Sequence, residues 1–202
     1  MNSSENLEEK LNTYSHAIGI ILSFIGGYLI INKAGTLNIG LIIYSLSLIV
    51  LFSASTLYHW VSNPTKKKRL RILDHISIYY LIAGTYTPVC LTLLKDSKGT
   101  LILCIVWIIA FFGTILKLFF TGKFEIFSLV LYGVMGWVIV IDSNYLLSNS
   151  SSIALFYLAL GGAFYTIGII FYTIKKIPFN HFIWHLFVLG GAISHWFFIY
   201  NK

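Results

Sequence analysis

Two histidines, His181 and His185, stand four residues apart in the stretch NHFIWHLF, where the last apolar run of the chain begins. Four helical residues complete one turn plus about 40°, so both imidazoles can reach one point. Imidazoles are costly in hydrocarbon and usually mark a functional position there. A third, His59, ends another apolar run in SASTLYHW. Three neutral nitrogen donors plus a water is the usual arrangement of a catalytic zinc ion, with nitrogens at roughly 2.0–2.1 Å. Zinc activates water near neutral pH by lowering its pKa to about 7. Asp74 could orient that water or take its proton, and its charge, expensive alone in an apolar setting, would be offset by the metal. Ser55 precedes His59 by four residues on the same helical face. Its hydroxyl could bond a substrate carbonyl, a developing oxyanion or the water. The plainer alternative for such a serine is a bond to its own i−4 carbonyl.

These residues need elements to carry them, and composition says which kind. Of 202 residues, 57% are hydrophobic and only 10% charged, with a mean hydropathy of +0.83. A soluble domain needs far more charge to cover its surface. The apolar runs are about 20 residues long, which suits helices rising 1.5 Å per residue through a core of about 30 Å. Strict alternation, the mark of a membrane barrel, is absent. The expected fold is an all-α membrane protein, a bundle of seven transmembrane helices over roughly 14–32, 39–60, 72–94, 99–119, 125–142, 152–174 and 181–200. Short connectors (NKAGTLN, SNPTKKKRLR, DSKG, TGK, SNYLLSNSS, KKIP) leave no room for a soluble domain, so residues 1–202 read as one unit. The opening MNSSENLEEKLN is polar and acidic, without the basic stretch and cleavage site of a signal peptide, so the first apolar run is expected to be retained.

Basic residues set the expected direction. The side holding the N-terminus receives Lys10, Lys66, Lys67, Lys68, Arg69, Arg71, Lys117, Lys123, Lys175 and Lys176, against Lys33, Lys95, Lys98 and Lys202 on the other. Ten of the 14 basic residues against four predict a cytoplasmic N-terminus and an extracytoplasmic C-terminus in a multi-pass protein of the cell membrane. The run KKKRLR, residues 66–71, is then a cytoplasmic loop facing anionic lipid. That distribution, rather than a basic patch on a soluble surface, argues against a nucleic-acid partner. On the same count His16, His59, Asp74, His75, His181 and His185 share one layer, toward the cytoplasmic side.

The remaining polar residues have plainer readings. His75 lies about 100° around its helix from Asp74 and is expected to face elsewhere. His195 is 14 residues beyond His181, about 21 Å along the helix, too far to share a metal. His16 is left between a supporting and a structural role. Glu125 and Asp142, at the two ends of the fifth span, are expected to be solvated termini. Cys90 and Cys104 read as small apolar residues. The glycines at 26–27, 133, 136, 161–162 and 190–191 read as contacts that let helices approach closely. Pro88 should disturb the third span and free a carbonyl.

Together, S-T-L-Y-H at 55–59, L-D-H at 73–75 followed by IYYLIAGTYTP, and H-F-I-W-H-L-F at 181–187 resemble the hemolysin III branch of the progestin and adipoQ receptor family. The resemblance covers essentially the whole chain, with the motifs in the same order and helices. It implies zinc held by His59, His181 and His185, with Ser55 and Asp74 serving a water or substrate beside it. The wider superfamily includes alkaline ceramidases and adiponectin receptors, so the implied chemistry is amide hydrolysis on a lipid. The short polar leader is unlike the long cytoplasmic N-terminal region of the animal receptors, and no hormone-receptor role is expected.

Three functions compete. The first is a zinc-dependent membrane hydrolase cutting an amide, or an ester, of a membrane lipid, with Asp74 moving the proton. The second is a pore-forming, cytolytic or signalling protein in which the zinc is structural. The third, an ion transporter, expects a midplane site between repeated halves, whereas this cluster is off-centre and no repeat is visible. Neither the lipid, nor a protein partner, nor the oligomeric state is named by these residues.

Overall fold

The computed structural model describes residues 3–202, so the first two residues of the polar leader lie outside the described residues. Helices account for nearly all of it, and no strand occurs among the described residues. In chain order they are α1 (Ser3–Ala34), α2 (Ile39–Trp60), α3 (Pro64–Pro88), α4 (Gly99–Phe120), α5 (Glu125–Trp137), α6 (Ser143–Asn149), α7 (Ser152–Thr173) and α8 (Asn180–Asn201). A 3-10 turn, Val138–Asp142, joins α5 to α6, so that together they make one span. Among the described residues, seven helical segments are long and apolar enough to cross a bilayer. Phe111, Phe112, Phe119, Ile126 and Phe127 are exposed on the outside of the bundle. Such a surface suits lipid, where every backbone polar group is already paired within its own helix.

Start signals in the sequence fix several helix ends. The Asn38 side chain accepts from the N–H of Gly40 and of Leu41 at 2.9 and 3.2 Å, capping α2. Asn63 caps α3 through the N–H of Lys66, with Pro64 in the first helical position, where its missing N–H costs nothing. Ser151 caps α7 through the N–H of Ala154. Because Asn63 and Pro64 start α3 so early, the basic run at 66–71 is helix rather than a loop. The polar leader is likewise helical and continues into α1, and residues 143–149, expected as a connector, form α6. The other spans end within about two residues of the expected positions. At Pro88 the α-helix passes into a π turn over Val89–Leu93, a local widening of the kind a missing N–H provokes.

Sequence neighbours pack side by side from α1 to α4, and α8 closes the ring by lying against both α1 and α7. The fifth span is held more loosely. It meets α3 and α4 and touches α7 only sparsely.

Candidate metal centre

His59 sits in the last turn of α2, and His181 and His185 in the first two turns of α8. The fold brings all three together. One donor atom from each lies within 4.8 Å of the others. The ring centroids are 5.1 Å apart for His59 and His181, 4.8 Å for His59 and His185, and 4.8 Å for His181 and His185. Nε2 of His59 and Nδ1 of His185 are buried without a hydrogen-bond partner. Buried polar atoms left unpaired cost about 1–3 kcal/mol each, so two in one cluster call for a ligand. Three nitrogens around a tetrahedral ion stand about 3.4 Å from one another, a little closer than the 4.8 Å within which these atoms already lie. The residues fit a metal ion, and the all-imidazole donor set suits a divalent transition metal.

Residues of α1 complete the surroundings. Nδ1 of His59 lies 3.0 Å from Oε2 of Glu9, which also accepts from Lys67 Nζ at 2.8 Å. Asn12 Nδ2 lies 3.5 Å from that same ring nitrogen. Glu8 Oε1 accepts the N–H of His181 at 3.1 Å and of Phe182 at 3.4 Å. It thereby caps α8, whose own N-cap position, Phe179, is left-handed (φ 55°) and offers no side-chain bond. Read from sequence only as polar and acidic, this leader gave no role to Glu8, Glu9 or Asn12. The available signal was the spacing Glu9, Asn12, His16, three and four residues apart, which is one helical stripe.

Ser55 and Asp74 are buried, on α2 and α3, and both line the same cavity. Ser23, Ser45 and Ser194 return their hydroxyls to the i−4 carbonyl of their own helix. Ser55 instead borders the cavity together with Asp74. His16 stacks on His185, with centroids 3.8 Å apart and planes within 14°, and meets Phe52 edge-on. His75 faces α5, with Nδ1 3.6 Å from Glu125 Oε2. His195 lies farther along α8 against Gly161 and Tyr165.

Two expectations fail. Glu125 is not a solvated terminus: it accepts from Lys117 Nζ at 3.0 Å, Arg71 Nη2 at 3.2 Å and the N–H of Gly122 at 2.9 Å. The α4–α5 turn folds the carboxylate back onto α3 and α4, and Lys117, only 2% exposed, has an anion to offset its burial. Asp142 is also buried, accepting from Ser97 Oγ at 2.9 Å and the Lys98 N–H at 3.0 Å at the start of α4.

A cavity of about 760 Å³ runs from this cluster between α3, the fifth span, α7 and α8. Ser55, Asp74, His16, His181 and His185 line one part of it, and His195 lines another. The walls are mostly apolar, and the volume falls within the roughly 300–1,000 Å³ typical of small-ligand sites. Here the glycine reading divides. Gly191 carries Tyr165 where a methyl group would stand, 2.7 Å from that point, and is a packing glycine as expected. Gly133, Gly136 and Gly162 line the cavity, and a Cβ on any of them would meet nothing within 4 Å. Those three make room rather than contact.

A family model described as haemolysin-III related matches residues 4–196. The chain belongs to the haemolysin III family. Two bacterial relatives are each 40% identical over 195 residues, or 94% of this chain. They are the hemolysin-3 homolog of Bacillus subtilis, of which 92% is covered, and hemolysin-3 of Bacillus cereus, of which 89% is covered. The human monocyte to macrophage differentiation factor is 31% identical over 206 residues, covering 96% of this chain and 84% of that protein. The haemolysin III assignment and seven apolar helices together make this a multi-pass membrane protein.

Proposed function

We propose that this haemolysin III protein is a zinc-dependent hydrolase of the membrane, cutting an amide or ester bond in a membrane lipid. The observation that carries the reading is the junction of the imidazole trio with an apolar cavity, which the buried Ser55 and Asp74 also line. His59, His181 and His185 would hold the ion. Zinc there would supply Lewis acidity, polarising a carbonyl and activating water near neutral pH. Ser55 would donate to the carbonyl oxygen as negative charge develops on it. An Asp74 carboxylate oxygen accepts the proton of the attacking water and returns it to the leaving nitrogen or oxygen. Apolar walls beside the trio accept acyl chains and keep bulk water from them.

The basic-residue bias supports placing the N-terminus and the metal end toward the cytoplasm, with the C-terminus outside. In that orientation Lys66, Lys68 and Arg69, exposed on the first turns of α3, meet the anionic lipid of the inner leaflet.

The test reconstitutes purified protein in lipid nanodiscs, presents ceramides and ester lipids of several chain lengths, and measures fatty-acid release beside metal content. One zinc per chain and release lost in a His181→Ala/His185→Ala variant are expected. Tight zinc binding with every amide and ester lipid left intact would sink the enzymatic reading. The names of the two Bacillus relatives favour a second one, a cytolytic protein with structural zinc. Liposome leakage equal in wild type and in the double variant would favour a pore that needs no metal.

A further inference from the structure

The leader of α1 contributes nothing to the trio itself, yet it touches both elements that carry it. Glu9 Oε2 lies 3.0 Å from Nδ1 of His59, while Glu8 holds the N–H of His181 and of Phe182. An imidazole has two nitrogens, and only the one without the proton can bind a metal. A carboxylate accepting Nδ1–H fixes the tautomer, raises the basicity of Nε2 and holds the ring plane. In His59 that leaves Nε2, the buried atom with no partner, as the donor. We propose that Glu9 is a positioning residue of the metal centre, presenting Nε2 of His59 by accepting its Nδ1–H. This rests on reading the trio as a metal site.

Glu9 is itself held. Lys67 Nζ donates to the oxygen that faces His59, at 2.8 Å, so the carboxylate is anchored from α3 as well as from its own helix. The ion pair is partly exposed, about 25% for each side chain, and on its own contributes little. The position of Oε2 therefore rests chiefly on α1, with Lys67 as a minor support. Glu8 differs from Glu9 in that it caps α8 through backbone groups.

The experiment measures zinc affinity of the purified full chain in nanodiscs by competition with a chromophoric chelator, for wild type, Glu9→Ala, Glu9→Gln and Lys67→Met. It also records the visible spectrum of each cobalt-loaded form and the thermal unfolding of each metal-free form. Glu9→Ala should lower zinc affinity by roughly 10–100-fold, the usual cost of losing such a partner, and shift the cobalt bands. Glu9→Gln, whose amide oxygen can still accept Nδ1–H, should recover part of the loss. Lys67→Met should stay within about threefold of wild type. Metal-free unfolding should be alike in all four.

Wild-type affinity in Glu9→Ala would overturn the positioning role while leaving the metal centre intact. A loss in Lys67→Met as large as in Glu9→Ala would overturn it too, by assigning the effect to the ion pair. If Glu9→Ala is destabilised without metal, Glu9→Gln decides: affinity no better than that of Glu9→Ala overturns the proposal. A wild type that binds no zinc would remove the metal centre itself, and the role of Glu9 with it.

Discussion

Helix α7 shows two neighbouring glycines in opposite surroundings. Gly161 is pressed against the ring of His195 on α8, whereas Gly162, next in the chain, faces the cavity and meets nothing within 4 Å. The seam between α7 and α8 is therefore closed, and the seam between α7 and the fifth span is open. Two of the three trio histidines stand on α8, on the closed side, while the open side supplies small and apolar residues. Chemistry that depends on a few tenths of an ångström needs a wall that does not move, and a lipid chain needs space. The two seams divide those tasks.

The comparison breaks first if the closed side does not hold the metal. His59→Ala and His185→Ala should each lower zinc affinity by more than about 100-fold, beyond the 10–100-fold typical of losing a supporting partner. Equilibrium dialysis against zinc with metal analysis reads this directly. Retention of stoichiometric metal in both variants would place the ion elsewhere. Next in size is Asp74→Asn, which keeps the shape but cannot take a proton. Lipid hydrolysis should fall by roughly 10²–10⁴-fold with zinc content unchanged. A parallel loss of zinc would make Asp74 a ligand instead of a proton carrier.

The seams themselves give the third prediction, and its two halves have opposite signs. Gly191→Ala puts a methyl group 2.7 Å from Tyr165, and such overpacking costs about 1–3 kcal/mol. Gly133→Ala adds its methyl to open space within α5. There it should stabilise by up to about 1 kcal/mol, because alanine is the better helix former. Denaturation in mild detergent, followed by circular dichroism, compares them. Equal destabilisation of both would mean that the fifth span closes on α7.

The same contrast explains which parts were legible in the sequence. Run length gave the seven helices, since a membrane crossing needs about 20 apolar residues whatever surrounds it. The trio was legible because i, i+4 spacing and depth are properties of single helices and of their order. Glu9 was not, for a polar leader next to a membrane span looks solvated until its partner in α2 is known. Glu125 reads as a helix-terminal acid until the α4–α5 turn, with Gly122 at φ 91°, delivers it to Lys117 and Arg71. Glycine is the hardest case. A missing side chain is the same letter whether another helix or nothing at all fills the place, which is why Gly161 and Gly162 look alike on paper.

The smallest effect is expected at His195, and it sharpens the division most. His195 stands on the same helix as His185, ten residues further on, a rise of about 15 Å. That distance is several times a metal–nitrogen bond, so no rotamer brings its ring into the cluster. Its ring packs against Gly161 and Tyr165, where the closed seam borders the far part of the cavity. His195→Ala should therefore leave zinc affinity within about twofold of wild type, while removing packing in a way that lowers stability. The equilibrium dialysis used for the trio reads the first effect, and thermal unfolding the second. A drop in zinc affinity as large as that of His59→Ala would mean that the far half of α8 sets the geometry of the near half. The closed seam would then be part of the metal centre and not merely the wall behind it.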